Sequence, residues 1–127
     1  MVIPVSYTGP DREQLETVLI DLAVDGWKMS RLFARVVNKL DAGESQRYVG
    51  QIRYYLKRLT ETLAAADLTL VDLEGQPYDA GLAVTALNLD EFDTPVELAI
   101  EQMVEPVVMG PEGLRRLGVV TVRRVES

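Results

Sequence analysis

The chain has 127 residues, with 13 lysines and arginines against 20 aspartates and glutamates for a formal charge of −7, and it holds neither cysteine nor histidine. Without thiol or imidazole there is no disulfide framework, no Cys/His zinc site and no histidine-primed nucleophile, so the expectation is a non-enzymatic protein with no metal or cofactor. An acidic chain of pI near 4.6 repels phosphate, which argues against nucleic acid or an anionic membrane as partner and for a basic protein surface.

The first ten residues show no basic segment leading into an apolar run, and no stretch approaches about 20 uncharged apolar residues, so neither a signal peptide nor a membrane span is expected. The inference is a cytoplasmic protein with a core in one domain or two small abutting units. Pro10 before Asp11, with Gln14 three residues later, marks a capped helix start. Leu15, Leu19, Leu22, Gly26, Met29, Phe33, Val36 and Leu40 then recur alternately four and three residues apart. That spacing predicts one apolar stripe on a helix of about 30 residues, close to 45 Å long. Gly26 reads as a small residue that lets another helix approach closely or allows a mild kink, at about 1 kcal/mol relative to Ala.

Asp41-Ala42-Gly43-Glu44 breaks the pattern and caps a second helix, on which Val49, Ile52, Leu56, Leu59, Leu63 and Ala66 repeat the heptad spacing. Two such helices make an antiparallel hairpin. Val18, Trp27, Val37, Tyr48 and Tyr55 lie off the two stripes, so a second face needs cover. The economical cover is a twin hairpin, giving a homodimeric four-helix bundle with Val49, Ile52, Tyr55, Leu56, Leu59 and Leu63 at the dimerisation seam. The alternative is the chain's own C-terminal half.

From Asp67 the period changes to that of strands. Leu68 to Leu73, Ala83 to Leu87, the alternating Val96, Leu98 and Ile100, and Val119 to Val125 read as strands, with turns at Glu74-Gly75-Gln76-Pro77 and Gly110-Pro111-Glu112-Gly113 and an interruption at Pro106. The fold class is therefore α+β: a helical hairpin over residues 1–66 followed by a small β domain of four or five strands over 67–127.

Residues 67–114 hold eleven acids and no base, while the rest of the chain sums to +4. Asp90, Glu91 and Asp93 lack the central glycine and closing glutamate of a calcium loop, so they read as solvated turn residues, and the acidic window as a whole either serves ordinary solvation or steers a basic partner. No glycine-rich phosphate loop precedes a helix. Arg115 and Arg116, beside a turn, either protect a strand edge or reach a carboxylate on a partner.

Tyr54-Tyr55-Leu56 and Leu63, then Leu68-Thr69-Leu70-Val71-Asp72 leading into Gly75-Gln76-Pro77-Tyr78-Asp79, and finally Gly113-Leu114-Arg115-Arg116-Leu117-Gly118 before a valine-rich strand, follow the order of parts of a known family. The chain resembles GrpE, the nucleotide exchange factor of DnaK-type chaperones, most specifically in a Gly-x-Pro-Phe/Tyr-Asp turn. It departs where the family's Leu-His-Glu-Ala stretch is Leu82-Ala83-Val84-Thr85, where the proline after the arginine is Leu117, and in having no helical pattern for a long stalk ahead of Pro10. The resemblance implies a dimeric helical bundle and a β domain that wedges open the nucleotide-binding domain of a DnaK-type ATPase, with Gly75, Tyr78 and Asp79 joining the acidic and arginine positions on the partner face. An adaptor that dimerises and binds a protein without exchange activity is the alternative reading.

Overall fold

The computed structural model describes residues 9–93 and 95–125, so most of the N-terminal stretch read as free of a signal peptide lies outside the described residues. Asp11 starts the first helix, α1 (Arg12–Val37), through a reciprocal cap: its carboxylate accepts the Gln14 amide, and its own amide donates to the Gln14 side chain, both at 2.8 Å. Asp41 begins α2 (Ala42–Ala64) with a one-way cap, its carboxylate accepting the Glu44 amide at 3.0 Å. The two helices form the hairpin. Where they approach, the Tyr55 hydroxyl occupies the space that a Cβ on residue 26 would take. Ser30, buried at the same level, donates its hydroxyl to the Gly26 carbonyl at 2.9 Å.

The expected α1 stripe is corrected. Leu15, Leu22, Met29, Phe33, Val36 and Leu40 are exposed, and the buried positions are Ile20, Ala23, Val24, Trp27, Ser30 and Val37. The reason is that α1 is covered on two flanks, by α2 and by the β unit, so its buried surface is rotated away from the heptad line. Trp27 and Val37, off the predicted stripe, go into the interior.

The chain leaves α2 through a left-handed residue, Asp67 at φ 58°. The Leu68 amide then donates to the Leu63 carbonyl and the Asp67 amide to the Ala64 carbonyl, each at 3.0 Å, while Leu63 and Leu68 are buried in one cluster. This is the hydrogen-bond pair and apolar contact of a Schellman helix end, with aspartate where glycine is usual.

Six short strands follow: β1 (Thr69–Val71), β2 (Val84–Ala86), β3 (Leu98–Glu105), β4 (Val107–Gly110), β5 (Gly113–Arg116) and β6 (Gly118–Arg124), with a 3₁₀ turn at Leu89–Glu91. They make two three-stranded sheets, β1-β4-β5 antiparallel and β2-β6-β3, in which β2 runs parallel to β6. Buried Pro106 is the corner at which β3 passes from one sheet into β4 of the other, a place where a missing N–H costs no ladder bond. Strict alternation fails on β3, where Ala99 and Ile100 are both buried. The register to β6 shifts between Ile100 and Gln102, and the 75–78 segment lies along the strand's outer edge.

Two clusters hold these layers together. Ile20, Ala23 and Val24 of α1 meet Leu63, Leu68 and Val108, and Trp27 closes over Ile100, Met103, Val107, Val120 and Val122. The hairpin and the β unit thus share one interior, and the chain's own C-terminal half covers one face of the hairpin. Ile100→Ala, which opens a cavity beneath Trp27, is expected to cost about 2–5 kcal/mol in urea unfolding. Asp67→Gly is expected to gain about 0.5 kcal/mol in the same measurement by relieving the left-handed backbone.

Candidate functional site

The 75–79 turn is fixed along the free edge of β3. Gly75, at φ 83°, donates its amide to the Ile100 carbonyl at 2.9 Å, the Ile100 amide donates to Gln76 at 2.9 Å, and the Tyr78 amide donates to Leu98 at 2.8 Å. The positive φ explains the glycine. Asp79 closes the turn by accepting the Gly81 amide on its carboxylate at 2.6 Å. Beside it lies a cleft of about 650 Å³, lined among others by Gly75, Tyr78, Leu98, Glu97 and Arg123. Glu74 extends the edge cover, because its carboxylate accepts the Met103 amide at 3.0 Å.

Asp90, Glu91 and Asp93 are exposed on and after the 3₁₀ turn, beyond β2. They sit at the opposite edge of the same sheet from the 75–79 turn, with β6 and β3 between. Asn88 sets their position: its amide group donates to the Val122 carbonyl and accepts the Val122 amide, both at 2.9 Å, so a side chain continues the β2–β6 ladder. The same Asn88 nitrogen reaches Glu91 at 3.3 Å.

Arg115 and Arg116 turn inward to this chain's own first helix. Arg115 pairs with Glu16 at 2.7 Å, and Arg116 bridges Asp21 at 2.7 Å and Glu105 at 3.3 Å. On the same helix Lys28 meets Glu105 at 3.1 Å, and Arg31 meets Asp72 at 2.6 Å and Glu74 at 3.1 Å while its guanidinium lies 4.6 Å from the centre of the Trp27 ring. These pairs lie along the helix before and after Trp27, with Glu16 and Asp21 ahead of it and Lys28 and Arg31 beyond it, and fasten the helix to both sheets. Of the eleven acids in 67–114, Asp72, Glu74 and Glu105 are thereby neutralised. Among the described residues the other eight make no ion pair, and they leave the β unit strongly acidic.

The expected dimerisation residues divide. Leu63 is buried, and Leu56 and Leu59 pack half-buried against the chain's own clusters. Val49 is half-buried too. Ile52 and Tyr55 line an apolar cleft of about 370 Å³ with Gly26, Met29, Ser30 and Phe33. Tyr54 and Tyr55 stay exposed on α2, and a longer line of open apolar side chains runs along the outer side of α1, at Leu15, Val18, Leu22, Met29, Leu32 and Val36.

The structure therefore sets the candidate residues in three places: the 75–79 turn, the 90–93 edge and the α1-bound arginines. Sequence reasoning missed Arg31 and the outer α1 line. The first leaves no local signal, since its partners are about 40 residues away, at 72 and 74. The second could have been found, because a spacing of three and four also connects Leu15, Val18, Leu22, Met29, Leu32 and Val36 around Asp25. No group of three or more Asp and Glu side chains among the described residues could hold a metal ion, and no helix of the described residues is long and apolar enough to cross a membrane. No protein-family model, curated protein or solved structure matches the chain.

The surface of the β unit is thus acidic at its 90–93 edge, and α1 is apolar on its outer side. Arg31→Met is expected to lower stability by about 1 kcal/mol at low ionic strength, since its pairs are partly exposed, and most of that difference should vanish in 1 M salt. Thermal unfolding at two salt concentrations measures it.

Proposed function

We propose that the protein is a cytoplasmic, GrpE-like cochaperone: a homodimeric exchange factor that binds the nucleotide-binding domain of a DnaK-type ATPase and promotes release of ADP. The observation that carries this reading is the order of parts and their junction, a helical hairpin locked by a shared core and ion pairs to a six-stranded β unit whose 75–79 turn stands at a sheet edge.

An exchange factor needs no catalytic side chain. It must bind the open form of its partner better than the closed, nucleotide-holding form, and that difference in affinity is the driving force. A body that prises a cleft must also transmit force without bending. The Arg31, Lys28, Arg115 and Arg116 pairs supply that stiffness here, by tying α1 to both sheets on either side of Trp27. The turn at 75–79 and the acidic edge at 90–93 then approach the partner as parts of one block. Excess carboxylate on the β unit complements a basic surface and speeds encounter.

Release of a fluorescent ADP analogue from the DnaK-type ATPase of the same cell tests the proposal. The expected result is acceleration of about tenfold or more at saturating protein, the scale of a coupling energy of 1–3 kcal/mol. Neither acceleration nor a complex would sink it, and a complex without acceleration would leave the adaptor reading. Reversing Asp90, Glu91 and Asp93 together to lysine should lower the association rate about tenfold at low salt and much less at high salt, measured by stopped flow.

A further inference from the structure

Seven positions of α1, spaced alternately three and four residues apart, all face solvent: Leu15, Val18, Leu22, Asp25, Met29, Leu32 and Val36. The six apolar ones are between 50 and 66 % exposed. A single exposed leucine means little, but an apolar line of this length, interrupted by Asp25 alone, marks a contact surface. It spans about 32 Å, and a repeat of 3.5 residues is the period of a seam between helices.

The symmetry of the line identifies what covers it. Asp25 is the fourth of the seven positions, with three apolar residues on either side. A two-fold axis near Asp25 sets each apolar position against another apolar position whether the second helix runs parallel or antiparallel, so the surface is complementary to itself. Joining two such lines removes on the order of 1,000 Å² from water, the lower bound for a specific interface.

We infer that this outer line of α1 is the seam at which a second copy of the chain docks, with Asp25 set against its counterpart as the element that limits its strength. The inference rests on the homodimer within the proposed function and moves its seam from α2 to α1, because Leu56, Leu59 and Leu63 are already engaged within the chain. Two carboxylates brought together in an apolar line oppose association by desolvation and by like charge. The base one turn along the helix does not relieve them, since Lys28 is held by Glu105 at 3.1 Å. A polar residue at one seam position sets register at a cost in affinity.

Sedimentation equilibrium of the full chain and three variants tests this, with circular dichroism confirming that each is folded. The wild type is expected to dimerise, Asp25→Asn about tenfold more tightly, Asp25→Leu more tightly still, and Leu22→Glu about a hundredfold more weakly. Because the chain has no cysteine, single-cysteine variants report contacts cleanly. Asp25→Cys should form a disulfide-linked dimer under mild oxidation, while Lys57→Cys, exposed on α2, should not. A dimer whose dissociation constant moves with neither Asp25→Asn nor Leu22→Glu has its seam elsewhere, which overturns the inference and leaves the dimer standing. Wild type and Asp25→Leu both monomeric at about 100 µM would remove the seam and the dimer together.

Discussion

Everything in this fold depends on how α1 meets the β unit. Ile20, Ala23, Val24 and Trp27 are buried where the helix crosses the two sheets, and Trp27 closes the interior formed by Ile100, Met103, Val107, Val120 and Val122. Burial of these side chains supplies the non-directional part of the attachment. Direction comes from the ion pairs on its flanks, where acids of the helix meet arginines of β5 and bases of the helix meet acids that follow β1 and end β3. Each pair is partly exposed and worth little alone. Spread along the helix before and after Trp27, they specify one orientation where the apolar contact would tolerate several.

The same contact organises the charge. An acidic window of 67–114 would repel itself if its carboxylates were all turned to solvent at close range. Lys28 and Arg31 neutralise the three that lie nearest the helix, while Arg115 and Arg116 are absorbed by Glu16 and Asp21. What remains exposed at the 90–93 edge is therefore of one sign, while beside the 75–79 turn Arg123 shares the cleft with Glu97. The proposed partner face and the internal scaffold are two consequences of one distribution of charge.

Features set by short-range chemistry were legible in the sequence. Asp11 with Gln14, Asp41 with Glu44, the glycine at position 75, the 110–113 turn and the interruption at Pro106 all stand where local patterns place them, because each depends on residues within a few positions. The face of α1 was not legible, since leucines and valines occupy more than one heptad frame and only the position of the β unit decides which frame is inside. Arg115 and Arg116 were open to either role for the same reason: their partners on α1, Glu16 and Asp21, are about 90 to 100 residues away in the chain. Asn88 illustrates the remaining gap, because a side chain that completes a sheet ladder with Val122 has no signature in the residues around it.

The central claim is that this rigid block distinguishes two states of a DnaK-type ATPase by affinity alone. Calorimetric titration of the protein into the ATPase's nucleotide-binding domain, once free of nucleotide and once saturated with ADP, measures that difference without following turnover. The account predicts binding about tenfold or more tighter to the nucleotide-free form, by the reciprocity of linked equilibria. Equal affinity for the two forms would contradict it.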